Sequence, residues 1–218
     1  MADIFDLFKK IEKKETPSTS PLTHILVGLG NPGDKYKTTR HNAGFLTLDF
    51  IAERVGARID RARFQALCGE ATIAGHRVLL MKPQTFMNAS GIAVQEAAAF
   101  YKIAPENILV LSDDIAQEPG RMRFRRKGSA GGQKGLGDII TCLRTDNIPR
   151  LRMGVGAKPH PSFELADWVL SNFTKAEMQL LEDCFSDALL GIEKFLAGDF
   201  DAATQIWNSH RPPMKEEE

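Results

Sequence analysis

The stretch ILVGLGNPGDKYKTTRHNAG, residues 25–44, decides the fold of this chain. Its first five residues are apolar and run directly into a Gly/Asn/Pro cluster, which predicts a buried strand that ends in a loop. The loop carries five notable polar side chains, Asn31, Tyr36, Arg40, His41 and Asn42. Loops beyond the carboxyl ends of central strands are where open α/β sheets build their sites. We therefore expect these side chains to form part of a functional site.

The glycines of this stretch match the spacing of a dinucleotide-binding turn, because Gly28, Gly30 and Gly33 spell G-x-G-x-x-G. That motif also requires its third glycine to lie in a helix, and an acidic residue about 20 positions later to end a second strand. Neither condition is met. No apolar periodicity follows Gly33, and Asp49 lies in FLTLDFIAERVG, whose apolar residues recur at helical spacing. The match is therefore weak support for a nucleotide site.

Composition predicts a single globular domain, or two at most. The chain has 218 residues, 43% of them hydrophobic, a formal net charge of zero and three cysteines. An odd number of widely spaced cysteines fits buried free thiols in core or strand positions, in a reducing compartment. No apolar stretch is long enough for a secretory signal or a membrane span, so we expect a cytoplasmic protein without membrane contact. Residues 1–22 are expected to form a short amphipathic helix and a flexible linker, residues 23–210 the domain, and residues 211–218 a polar acidic tail.

The order of apolar patterns predicts an α/β fold. After the FLTLDFIAERVG helix we expect a hairpin turning at Ala74 to His76, and a helix that ends near Tyr101 and is capped by Ser90 or Asn88. The remaining predicted elements are a strand at 107–111, an edge strand from Met122, a flexible glycine loop KGSAGGQKG, a helix at about 136–143, a strand in LRMGVG, a long helix running from Thr174 to Leu196, and a helix near Trp207. Strands interleaved with helices indicate one domain with a mixed sheet flanked by helices.

Polar side chains follow three of the predicted strands. Asn31 follows the first strand, Asn88 follows the second strand of the hairpin, and Asp113 ends the NILVL strand. If these strands are parallel neighbours, the three side chains and His41 meet at one edge of the sheet. A histidine can take a proton from water, a carboxylate can orient it, and asparagine amides can orient the water or donate to an oxyanion. The set suits hydrolysis of an ester without a metal.

Other catalytic classes have less support. The chain contains no G-x-S-x-G nucleophile elbow and no H-E-x-x-H or other i, i+4 histidine pair, so neither a serine hydrolase nor a zinc site is expected. Taken singly, Asn31 can be a turn former, Asn88 a helix cap and Asp113 a solvated strand end. His41 is harder to explain structurally, because a turn does not need an imidazole.

Charge distribution suggests the partner. Between Pro119 and Lys158 the chain has ten lysines and arginines against two aspartates, although its total charge is zero. A phosphate backbone is the natural partner for such a basic segment. An edge strand protected by arginines remains an alternative explanation.

Several motifs in order resemble the bacterial-type peptidyl-tRNA hydrolases: VGLGNPGDKYKTTRHNAGF, MKPQTFMNASG, VLSDDI, GSAGGQKGLGDII and RLRMGVG. The resemblance covers about residues 23–207. It implies a monomeric single domain with a twisted mixed sheet flanked by helices, which hydrolyses the ester bond of peptidyl-tRNA without a cofactor and so recycles tRNA in translation. It also implies roles for particular residues, with His41 as the base, Asp113 as its orienting carboxylate, Asn31 and Asn88 as positioning groups, Tyr36 and Met87 in the peptide and ester pocket, and Arg152 among the tRNA contacts.

The chain departs from the family pattern in two places. Many members carry His-Asn after the paired glycines of the glycine loop, where this chain has Gln133 and Lys134, and Ala116 replaces a frequent acid. Lys134 could replace the asparagine only as a charge attracted to phosphate, since lysine has donors but no acceptor. A catalytically weak RNA-binding protein on the same fold and a nucleotide-dependent oxidoreductase therefore remain open as alternatives.

Overall fold

The computed structural model describes residues 20–212, so the predicted amino-terminal helix and most of the acidic tail lie outside the described residues. The described residues contain one seven-stranded sheet with the order β2-β3-β4-β1-β5-β7-β6. The strands are β1 (His24–Gly28), β2 (Arg61–Arg63), β3 (Ala66–Ile73), β4 (His76–Pro83), β5 (Ile108–Asp114), β6 (Met122–Arg125) and β7 (Arg150–Gly154). The helices are α1 (Ala43–Arg54), α2 (Ser90–Tyr101), α3 (Lys134–Leu143), α4 (Leu165–Leu170), α5 (Lys175–Asp183), α6 (Phe185–Leu196) and α7 (Phe200–Ser209).

The centre of the sheet is parallel and its margins are antiparallel. β1 pairs in parallel with β4 and β5, and β5 pairs in parallel with β7. β3 and β6 run antiparallel to β4 and β7, and β2 forms the far edge beside β3. The predicted mixed sheet is confirmed. Because β1, β4 and β5 point the same way, the segments that follow them emerge at one edge of the sheet.

Helices cover both faces of the sheet, which explains why its central strands are apolar throughout. Leu109 and Leu111 of β5 face a core built with α1, α6 and α7, whereas Ile108 and Val110 face a second core with α2 and α3. Every residue of β5 is buried. A strand buried on both faces needs an unbroken apolar run, and this is the pattern that the NILVL segment shows.

The first turn of α1 packs directly against the ends of β1 and β5. The Phe45 amide donates to the Leu29 carbonyl at 3.2 Å, and the Leu29 amide donates to the Leu111 carbonyl at 2.9 Å. A Cβ on Gly44 would lie 2.5 Å from the Leu29 nitrogen, and one on Gly28 would lie 2.6 Å from the Gly44 carbonyl oxygen. These glycines therefore allow the helix to approach the sheet closely, and this packing accounts for them without a nucleotide.

The structure corrects several details of the sequence interpretation. The long helix expected from Thr174 to Leu196 is two helices, because α5 ends at Asp183 and α6 begins at Phe185. The expected side-chain cap of α2 is wrong. The N-cap is Ala89, which makes no side-chain cap bond, and the Ser90 hydroxyl instead donates to the Met87 carbonyl at 3.0 Å.

Two short elements and one cysteine also differ from expectation. β2 and α4 were not anticipated, since all three residues of β2 are exposed and α4 has only six residues. Cys68 and Cys184 are buried free thiols as expected, but Cys142 lies half-buried on α3 rather than in the core or a strand.

Within residues 20–212, no helix combines the length and the apolar character that a membrane span requires.

Candidate active site

A histidine and an aspartate form a buried pair at the carboxyl edge of the parallel strands. His41 lies in the short 3-10 helix Arg40–Asn42 that leads into α1, and Asp113 lies near the end of β5. The His41 Nδ1 atom is 3.0 Å from Asp113 Oδ2, and the two residues are 9% and 4% exposed. A carboxylate accepts hydrogen bonds and does not donate them, so Nδ1 carries the hydrogen in this pair. Nε2 then keeps its lone pair and can act as a proton acceptor.

Asn31 is held on both its backbone and its side chain. The Asn42 side chain accepts from the Asn31 amide at 2.8 Å and donates to the Asn31 carbonyl at 3.0 Å. The Asn31 Oδ1 atom accepts from the backbone amide of Met87 at 2.8 Å. This bond fixes which end of the Asn31 amide is oxygen. Its Nδ2 group makes no hydrogen bond within residues 20–212 and is therefore free to donate to a bound molecule.

Gln133 joins this constellation although its place in the sequence indicated no role for it. Its Nε2 group donates to Asp113 Oδ1 at 3.0 Å and approaches the Met87 sulfur at 3.1 Å. Its Oε1 atom accepts from the Leu136 amide at 2.6 Å as the N-cap of α3. The sequence contains two signals, a polar residue between paired glycines and a helix, which indicates a cap, and a glutamine where many family members carry histidine. Neither signal indicates a contact with β5.

These groups surround a cavity of about 510 Å³. Eight of the residues that the sequence placed at the site line it, namely Asn31, Tyr36, His41, Met87, Asn88, Asp113, Lys134 and Arg152. Arg40 and Asn42, the other two polar residues expected from the first loop, are buried and do not line it. Apolar side chains from the β4–α2 segment and from α4 complete the wall, and Phe86, Leu165 and Leu170 among them are exposed. The cavity thus combines a polar end at His41 with an apolar side.

Arg40 connects two parts of the chain, the loop that contains His41 and the segment that follows α4. Its guanidinium is buried, lies 3.7 Å from the centre of the Trp168 ring, and donates to both carboxylate oxygens of Glu177 at 2.7 and 2.8 Å. It also donates to Ser171 Oγ at 2.9 Å and to the Asn172 carbonyl. A planar guanidinium suits this combination of stacking and paired hydrogen bonds, which a lysine could not make. The contacts place α4, one wall of the cavity, against the His41 loop.

The basic segment is divided between the surface and the interior. Arg123 and Arg125 are exposed on the edge strand β6, while Arg150 of β7 is buried and donates to the Gly128 carbonyl of the glycine loop and to the Ile148 carbonyl. Burial and the nearby Arg152 lower the pKa of Arg150 to about 10, so it is still protonated at neutral pH. Arg150 therefore does not contribute to a basic surface, because backbone carbonyls and not solvent surround its guanidinium.

Arg152 also makes hydrogen bonds inside the protein. Its guanidinium donates to the Ala130 carbonyl at 2.9 Å and lies 3.5 Å from the Asp114 carboxylate. Its side chain is 15% exposed, enough to line the cavity. Lys134, by contrast, is exposed at the first position of α3.

Within residues 20–212, no cluster of three or more histidine, cysteine, aspartate or glutamate side chains could hold a metal.

Fold and site together define a class of protein, an α/β domain on one mixed sheet with a histidine–carboxylate pair at the carboxyl edge of its parallel strands. Comparison with known proteins narrows this class. The sequence model of the peptidyl-tRNA hydrolases matches residues 25–216. The chain belongs to the peptidyl-tRNA hydrolase family, as its resemblance in sequence indicated.

Individual relatives match over nearly their whole length. A peptidyl-tRNA hydrolase of Alkaliphilus oremlandii is 48% identical over 186 residues, 85% of this chain and 99% of the relative. One from Caldicellulosiruptor bescii is 43% identical over 187 residues, 86% of this chain and 97% of the relative. Among solved structures, the crystal structure of peptidyl-tRNA hydrolase from Acinetobacter baumannii superimposes with a TM-score of 0.83 at 34% identity, covering 88% of this chain and 99% of that chain.

Proposed function

We propose that this protein hydrolyses the ester bond of peptidyl-tRNA, releasing free tRNA and peptide, with His41 as the general base. Family membership supports the reaction, and the observation that carries the assignment of the base is the 3.0 Å contact between His41 and Asp113 inside the cavity. The enzyme would thereby rescue stalled translation products and return tRNA for reuse.

The reaction proceeds through a water molecule without a covalent intermediate. His41 Nε2 takes a proton from the water, whose oxygen attacks the carbonyl carbon of the ester. Asp113 stabilises the imidazolium that forms and keeps Nδ1 protonated throughout. The tetrahedral intermediate then collapses, the bond between the carbonyl carbon and the ribose oxygen breaks, and the imidazolium returns its proton to the ribose oxygen. The products are a peptide with a free carboxylate and a tRNA with a free terminal hydroxyl.

The asparagines position the reactants. Because the Asn31 oxygen is used by the Met87 amide, Asn31 presents its Nδ2 donor to water or to the developing oxyanion. Asn88 is exposed at the rim of the cavity and supplies a second amide. Tyr36 and Met87 line the pocket for the ester and the peptide, and the apolar wall from α4 suits apolar peptide side chains.

The tRNA is bound through its phosphates. Arg123 and Arg125 on the exposed face of β6, with Arg126 and Lys127 after it, form the surface that we assign to the backbone. Lys134 extends this positive charge to the mouth of the cavity, and the exposed part of Arg152 adds to it. Each is proposed to attract phosphate rather than to read bases.

The working unit is proposed to be a cytoplasmic monomer without a metal or membrane. The cavity is lined by residues of one chain, amide hydrogen-bond donors can stabilise the oxyanion without a metal, and the three cysteines are free thiols. Residues 23–210 form the hydrolase domain in this proposal. Residues 1–22 and 211–218 contribute no group to the reaction.

The deciding experiment is incubation of the purified protein with a peptidyl-tRNA, with separation of the products by size and charge. We expect release of peptide and intact tRNA, with no change in an uncharged tRNA control. His41→Ala is the matched variant, since it leaves the fold and the phosphate-binding surface in place. A wild-type protein that binds peptidyl-tRNA without cleaving it would contradict the proposal and favour an RNA-binding role.

A further inference from the structure

Gln133 connects three parts of the site that are distant in sequence. Its amide oxygen accepts from the Leu136 amide at 2.6 Å, and its amide nitrogen donates to Asp113 Oδ1 at 3.0 Å. The same nitrogen lies 3.1 Å from the Met87 sulfur. Because the Leu136 amide can only donate, the Gln133 oxygen must face α3, and its NH₂ group must face Asp113. The orientation of the amide is thus fixed by the helix terminus.

This contact holds both oxygens of Asp113. Oδ2 contacts His41 and Oδ1 contacts Gln133, each at 3.0 Å. Rotation of the carboxylate about its terminal bond would break both contacts at once. A carboxylate held only by the histidine would have no such restraint. The orientation of the carboxylate relative to Nδ1 would then vary.

Capping alone does not explain a glutamine at this position. Helix N-caps are preferentially Ser, Thr, Asp or Asn, whose short side chains reach the amides of the first turn, and a cap requires only an acceptor. The additional methylene and the NH₂ group of Gln133 serve the second contact, with Asp113. The side chain is buried, so the donor is not satisfied by solvent instead.

Met87 is fixed on the other side of this amide. A Cβ on Gly135 would lie 2.6 Å from the Met87 sulfur, so the start of α3 packs closely on the thioether. The backbone amide of Met87 in turn holds the Asn31 side chain. The Gln133 amide therefore lies between the His41–Asp113 pair and the Met87–Asn31 contact.

We infer that Gln133 is a positioning residue, which acts through Asp113 to orient His41 and so links the terminus of α3 to the proton-transfer pair. The inference rests on the proposed function, since it concerns how the base of that reaction is held. Gln133 does not touch the reacting atoms. Its removal should therefore lower kcat and leave KM nearly unchanged.

The first test is Gln133→Asn, which separates positioning from capping. Asparagine is a good N-cap, so the start of α3 is preserved, and any fall in the melting temperature reports the lost contact with Asp113. Its amide is one methylene shorter and cannot bridge Leu136 and Asp113. We expect kcat to fall about tenfold, the lower end of the range that corresponds to one hydrogen bond to a charged group, with KM changed less than about twofold.

The second test is Gln133→Glu, which keeps the length and the cap but places a carboxylate against Asp113. The added negative charge stabilises the protonated imidazole, so His41 should lose its proton at higher pH. Because activity requires the neutral imidazole, the midpoint of the kcat–pH profile should move to higher pH. A residue that only capped α3 would leave this midpoint unchanged.

Gln95 provides the matched control. Its Nε2 group donates to the Cys142 carbonyl at 2.6 Å between α2 and α3, and it does not line the cavity. Gln95→Asn and Gln95→Glu should leave kcat and the pH midpoint at wild-type values. Equal effects of the paired substitutions at both positions would overturn the inference, as would a Gln133→Asn variant with wild-type kcat.

The proposed function and this inference can fail separately. If the wild type cleaves peptidyl-tRNA and the Gln133 variants behave as the wild type does, only the inference is overturned. If the wild type does not cleave it, the proposed function is overturned. In that case a proton titration of His41 by NMR still decides the coupling. A shift to higher pH in Gln133→Glu supports it, and no shift overturns it.

Discussion

The side chain of Asn42 pairs with the backbone of Asn31 as a neighbouring strand would, accepting from its amide at 2.8 Å and donating to its carbonyl at 3.0 Å. Asn31 lies beyond the end of β1, so its backbone amide and carbonyl have no neighbouring strand to pair with. Without the Asn42 side chain they would be buried without a hydrogen-bond partner. Asn42 thus keeps Asn31 in place beside His41.

Replacing this donor should weaken both the fold and the reaction. In Asn42→Asp the atom that faces the Asn31 carbonyl becomes an oxygen, so two acceptors meet in a buried site. We expect the free energy of unfolding to fall by about 1–3 kcal/mol, and kcat to fall because Asn31 is no longer fixed. Urea denaturation and turnover of peptidyl-tRNA measure the two effects. The control is Asn172→Asp, since the exposed Asn172 uses only its oxygen, as an acceptor from Thr38. Equal losses in the two variants would contradict this role.

Removal of the histidine should have the largest effect on turnover. His41→Ala deletes the proposed general base, and such bases typically contribute about 10² to 10⁴ in rate. Asp113→Asn keeps the imidazole and should cost less, and neither change should alter tRNA binding much. Without the negative charge of Asp113 the imidazolium is less stable, so the midpoint of the rising pH–rate profile should move to lower pH in Asp113→Asn.

Turnover against pH on the wild type and both variants, with tRNA affinity measured in parallel, checks this set of expectations. A His41→Ala variant with wild-type turnover would remove His41 from the role of base. A rate that falls as the histidine deprotonates would do the same.

Neutralising the exposed edge of β6 should weaken tRNA binding and its salt dependence together. Arg125→Gln combined with Lys127→Gln removes two positive charges, and each charge that no longer neutralises a phosphate reduces the slope of log affinity against log salt by about 0.9 at most. Binding titrations at several salt concentrations measure this slope. The control neutralises Arg58 and Arg61, which are exposed at the opposite edge of the sheet, at and just before β2. If the slope falls by the same amount in both double variants, the binding surface has been assigned to the wrong edge.

Stability should decrease in mild acid because of His24. Partial burial, with a smaller contribution from the nearby His76, lowers the pKa of His24 from 6.5 to about 4. Below pH 6.5 the unfolded chain therefore binds a proton that the folded protein does not, and the free energy of unfolding falls until about pH 4. Above 6.5 this residue contributes no pH dependence.

The substitution His24→Phe isolates this contribution. Phenylalanine keeps the edge-to-face contact that the ring makes with Phe195, at 5.8 Å between centroids, and has no proton to gain. Urea denaturation across the acidic interval should show a shallower decline than in the wild type. His160→Phe, at an exposed histidine, should decline as steeply as the wild type. An unchanged slope in His24→Phe would refute the assignment.

The parts of this structure that could be predicted from sequence depend on local patterns. The apolar runs at 25–29 and 108–111 indicated buried strands because a strand covered on both faces must be apolar on both faces. Asn31, Asn88 and Asp113 were placed at one edge because parallel strands end together. Family resemblance supplied the individual roles, which spacing alone left open.

The parts that were missed depend on contacts between distant residues. Gln133 meets Asp113 across 20 positions, and Arg40 meets Ser171 across 131, and neither distance leaves a local pattern. The break between α5 and α6 was missed for a related reason. No glycine or proline marks it, and the apolar spacing continues through Cys184, which is itself buried.

The contacts of Arg40 have a consequence for the order of events during folding. They join residues more than 130 positions apart, whereas the β3–β4 hairpin forms between immediate neighbours. Closing so long a loop costs chain entropy that only the finished contacts offset, so such pairings form slowly and late. α4 can be held against the His41 loop by Arg40 only after residues up to Glu177 have been synthesised. The nascent chain therefore cannot complete this wall of its cavity before that segment has been made.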